Sequence, residues 1–82
     1  MGCHRGPGLL TRRQREVIAG LLEGQSLGAI AELDGRNIAS VDGVLRCARR
    51  RVGARTTAQL VAYAVVSGIV PFDPATLAGD RA

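Results

Sequence analysis

Four stretches of the chain return apolar side chains at helical spacing, and each is preceded by a residue able to cap a helix. Thr11 can accept hydrogen bonds from free amides ahead of Val17, Ile18, Leu21 and Leu22, with Gly24 as a stop; the pattern predicts a helix over 11–23. Ser26 opens a shorter stretch, 26–33, whose inner face would carry Leu27, Ile30, Ala31 and Leu33 before the Asp34-Gly35 turn signal. Asn37 caps a third stretch, 38–52, in which Val41, Val44, Leu45, Ala48 and Val52 form one narrow apolar face closed by Gly53. Thr56 or Thr57 caps a fourth, 57–69, whose run from Leu60 to Ile69 is apolar nearly all the way round until Ser67-Gly68 and Pro71 interrupt it.

Outside these stretches the period is lost. Residues 1–8 hold three glycines and a proline, which reads as a disordered leader, and 71–82, with Pro74 and Gly79, reads as a flexible tail. The expected organisation is therefore one all-α, four-helix domain over residues 9–70, with no internal repeat. A chain of 82 residues buries only roughly 60% of its unfolded surface, which disfavours a deep catalytic cleft. Aromatic residues make up 2% of the chain against 46% apolar, so the core must be built from Leu, Ile, Val and Ala.

Charge then suggests a partner. All 11 basic residues are arginine, against 7 acidic ones, for a formal charge of +4. Such a balance favours polyanions, although a compositional bias toward Arg, Ala, Gly and Val would produce it without any ligand. Placement separates the two. At about 100° per residue, the side of the third helix opposite its apolar face carries Ala39, Gly43, Arg46 and Arg50, flanked by Ser40, Asp42, Cys47, Arg49 and Arg51. Two short helices joined by a tight turn, the second basic on its outside, match the helix-turn-helix plan for major-groove entry. Arg46 is the expected base reader, through guanine O6 and N7; Arg49, Arg50 and Arg51, further along, are expected on phosphates. An arginine-rich face that merely keeps a helix solvated is the alternative.

From Leu10 to about Ala64, about two-thirds of the chain, the sequence resembles the C-terminal DNA-binding domain of LuxR/GerE-type transcription factors. The resemblance is carried by Leu10-Thr11-Arg12-Arg13-Gln14-Arg15-Glu16-Val17-Ile18, by Gly24-Gln25-Ser26, Ile30-Ala31 and Ser40-Val41, and by Arg50-Arg51-Val52-Gly53-Ala54 running into Gln59. It implies a four-helix bundle that places its third helix in the major groove and dimerises through its fourth, in a bacterial cytoplasm and on the nucleoid when bound. It also implies base or groove contacts at Asp42, Gly43 and Arg46, and phosphate contacts at Thr11, Arg13, Ser26 and Ser40. The family usually has Lys where this chain has Asp42, a larger residue at Gly43, commonly His at Val44, and apolar residues at Asp34 and Arg36, for whose loss in the turn Leu33 could compensate. Asp42 can accept from cytosine N4 or, facing phosphates, repel them.

The expectation is a DNA-binding transcriptional regulator, a homodimer through Leu60, Tyr63 and Val66, whose apolar side chains exceed what one bundle face can bury. The alternative is a helix-turn-helix derivative that binds another regulator or the transcription machinery; a sigma-factor-like promoter module shares the plan but would need a companion domain. No enzyme is expected, since His4 lies in the leader and no Ser or Thr has a histidine base. Neither cofactor nor metal is expected, because Cys3 and His4 alone do not make a four-ligand site. Cys3 and Cys47 are expected free and reduced, and no apolar run approaches the ~18 residues of a membrane span.

Overall fold

A computed structural model of the chain describes residues 10–74. Among them are four helices and no strand: α1 (Arg12–Leu22), α2 (Leu27–Asp34), α3 (Ile38–Val52) and α4 (Thr57–Val66). Each begins at a side-chain cap. Thr11 and Gln14 form a reciprocal box, the Thr11 hydroxyl accepting from the Gln14 N–H at 3.1 Å and the Gln14 amide oxygen accepting from the Thr11 N–H at 2.8 Å. Ser26, Asn37 and Thr56 each accept from the amide three residues on. Thr11 and Ser26 thus lie outside their helices as caps, and α2 runs one residue further than expected, to Asp34.

The turn between α2 and α3 is set by Gly35, whose φ of 68° is left-handed. Its N–H reaches Glu32 O and the following Arg36 N–H reaches Ala31 O, satisfying two carbonyls that the helix end would otherwise leave open. The tight stop frees Asn37 to cap α3 only three residues after α2 ends.

The core gathers around α3, which packs against all three other helices. Val41, Leu45 and Ala48 meet Val17 and Ile18 of α1, Ile30 and Ala31 of α2, and Leu60 and Ala64 of α4, with Leu10 and Val70 closing the ends. Burying each large aliphatic side chain stabilises by about 1.5–3 kcal/mol, and the narrow apolar face of α3 spends nearly all its length on this.

Two expectations change. Leu33 points away from the core and is 75% exposed, so it neither completes the inner face of α2 nor compensates for the polar turn. A length of eight residues gives α2 room for little more than one buried pair, Ile30 and Ala31. α4 stops at Val66 instead of 69, because Gly68 turns left-handed and both Ile69 and Val70 donate back to Ala64 O. The reversal buries Val70 and leaves Phe72 half-buried, lining a hollow with Ala19 and Leu22. The proposed leader at 1–8 and the rest of the tail lie outside the described residues.

Candidate nucleic-acid interface

Because α3 commits one face to the core, its opposite face is fixed outward. Ala39, Arg46 and Arg50 are exposed there with Gly43 half-buried among them; of the flanking residues Ser40 is exposed, and Asp42, Cys47, Arg49 and Arg51 are half-buried. Arg46 donates its Nη2 to Asp42 Oδ2 at 3.0 Å, one helical turn back, with side chains 60% and 46% exposed. Arg46 and Asp42 therefore meet each other on the surface. A Cβ added at Gly43 would meet no atom within 4 Å, so internal packing does not require glycine there.

The other arginines divide by what holds them. Arg49 donates to the Thr57 hydroxyl at 3.1 Å, tying the end of α3 to the start of α4. Arg13 pairs with Asp34 at 2.6 Å, its second amino group buried without a hydrogen-bond partner. Arg13 is thereby turned between α1 and α2, where the sequence had suggested a phosphate contact. Arg12 pairs with Glu16, and Arg15 donates to Leu10 O. Arg50 is exposed and its side chain holds no described residue; so are Arg36 beside the α2–α3 turn and Arg55 beside the start of α4. Arg36 and Arg55 were missed in the sequence because they lie outside the amphipathic stretches. Their signal is a cation one or two residues after the helix-ending Gly35 and Gly53.

Thr11 and Ser26 use their hydroxyls as caps, while Ser40 contributes its N–H to the Asn37 cap and stays exposed. On α4, Leu60 is fully buried in the core and so is not available to a two-fold contact; Tyr63 and Val66, 39% and 86% exposed, remain on the surface. Cys47 stands in a disulfide, which corrects the expectation of a free thiol at that position. Cys3 and His4 lie outside the described residues. No group of three or more His, Cys, Asp or Glu side chains able to hold a metal gathers among the described residues, and none of their helices is long and apolar enough to cross a membrane.

No known protein family, curated protein or solved structure matches this chain. The functional reading therefore stands on the outer face of α3 and the residues around it.

Proposed function

We propose that this protein is a DNA-binding transcriptional regulator of LuxR/GerE type that lays α3 in the major groove of double-stranded DNA. One observation carries the reading: α3, the second helix of a tight helix-turn-helix pair, keeps Arg46 and Arg50 exposed on the face opposite the core. A groove about 12 Å wide admits a helix presented in this way, and arginine is suited both to guanine edges and to phosphates. Arg36 and Arg55 add exposed cations at the two ends of α3, where the phosphate backbones would pass. Tyr63 and Val66 form the apolar surface through which two copies would pair and read a pseudo-palindrome.

The test is a binding titration of the purified protein against its own upstream region and against random duplex, at several salt concentrations. Preferential binding whose affinity falls steeply with salt is expected. No binding to any duplex even at low salt overturns the proposal. A second reading, a helix-turn-helix module that binds another protein, is favoured by Leu33 and Ile38, large apolar side chains exposed on either side of the turn. In that case Arg46→Ala leaves the partner bound unless Arg46 lies in the interface, and DNA is not retained.

A further inference from the structure

Asp42 and Arg46 are a pair with no evident structural employment. The side chains of Arg46 and Asp42 are 60% and 46% exposed, and an ion pair of this kind at i, i+4 contributes little to stability. They are nonetheless bonded through a single atom of each, Nη2 to Oδ2. An arginine carries five N–H donors in a planar fork, so Nε, Nη1 and the second hydrogen of Nη2 of Arg46 remain to donate to a ligand. Asp42 Oδ1 likewise makes no bond to a described residue. Between them in sequence lies Gly43, where an added Cβ would meet only open space, so packing does not demand the missing side chain.

We infer that Asp42 and Arg46 act as one base-reading unit in which Asp42 positions the Arg46 guanidinium for a guanine and itself accepts from the exocyclic amine of a neighbouring cytosine or adenine. The inference rests on the DNA-binding reading above and specifies what that surface recognises. A lone arginine entering a groove must lose its rotamer freedom; one already held by an acceptor on its own helix loses less. Two residues one turn apart are about 6 Å apart along the helix, close enough to serve adjacent base steps about 3.4 Å apart. With no side chain at Gly43, a base edge can approach this face of α3 without one intervening there. In the major groove, guanine presents two acceptors, whereas cytosine N4 and adenine N6 present donors, so the pair's free donors and free acceptor specify a guanine beside an amine-bearing base.

The experiment is selection from a randomised duplex library by the full chain and by its Asp42→Ala, Asp42→Asn and Arg46→Ala variants. Titrations of the enriched duplex and its single-base changes at several salt concentrations follow. The wild-type chain is expected to enrich a guanine with cytosine or adenine next to it. Asp42→Ala should lose the neighbour preference and weaken discrimination at the guanine by about tenfold. Asp42→Asn, which keeps an acceptor toward Arg46, should retain more of the guanine preference. If Asp42→Ala keeps both preferences and binds every duplex more tightly by the same factor, Asp42 merely repels phosphates and the inference is overturned while DNA binding stands. If the wild-type chain binds no duplex, both the inference and the DNA-binding reading fall.

Discussion

Arg13 in the first turn of α1 donates to Asp34, the last residue of α2, across 2.6 Å. The contact is part-buried, with side chains 29% and 30% exposed, and it braces α1 against the end of α2, where the chain turns into α3. Removing the carboxylate would leave a part-buried guanidinium without its partner, a larger loss than at an exposed pair. Asp34→Ala is expected to destabilise by about 1–2 kcal/mol, less than a fully buried pair because solvent screens it. Urea unfolding of the two single variants and the double variant measures the coupling.

The same pair makes a functional distinction. Arg13→Ala is expected to leave the salt dependence of DNA binding unchanged, whereas Arg50→Ala, at an exposed position, should lower the salt slope by about one. Equal reductions in slope would return Arg13 to the phosphate contacts.

Leucines on the two sides of the domain should respond oppositely. Leu45 is 2% exposed at the centre of the core, and Leu45→Ala is expected to cost about 2–5 kcal/mol. That is a large part of the stability of so small a domain, and thermal melts should show a deep loss of Tm. Leu33→Ala, at a surface position, should change stability by less than about 0.5 kcal/mol.

Gly43→Ala separates folding from recognition. With open space around the added carbon, alanine should raise helix stability by up to about 1 kcal/mol, read from chemical denaturation. If the missing side chain serves close approach to a base edge, the same variant should bind its preferred duplex more weakly. A stabilised variant with unchanged DNA affinity would show that the glycine is not used in recognition.

Val66→Glu places a charge on the exposed face of α4 while leaving Leu60 and Ala64 in the core. Sedimentation equilibrium is expected to give a dimer for the wild-type chain and a monomer for the variant, with helical content unchanged. A wild-type chain that stays monomeric at micromolar concentration would remove the α4 pairing from the proposal.

What could be read from the sequence was local. Thr11, Ser26 and Asn37 announce helix starts because a short polar side chain satisfies amides only a few residues ahead, and Gly35 and Gly53 announce stops because the left-handed turn is decided within the glycine itself. The buried face of α3 was also legible, since Val41, Leu45 and Ala48 repeat with the helix and identify the opposite, arginine-bearing side without reference to any neighbour. Tertiary structure decided the rest. Whether Leu33 faces water and Leu60 the core depends on which helices flank α2 and α4, and both look alike as apolar letters. The orientation of Arg13 depends on an Asp34 more than twenty residues away, which its own helix does not contain. Caps and periodicity act over a single turn, whereas burial and ion pairing between helices are settled only when the whole chain has packed.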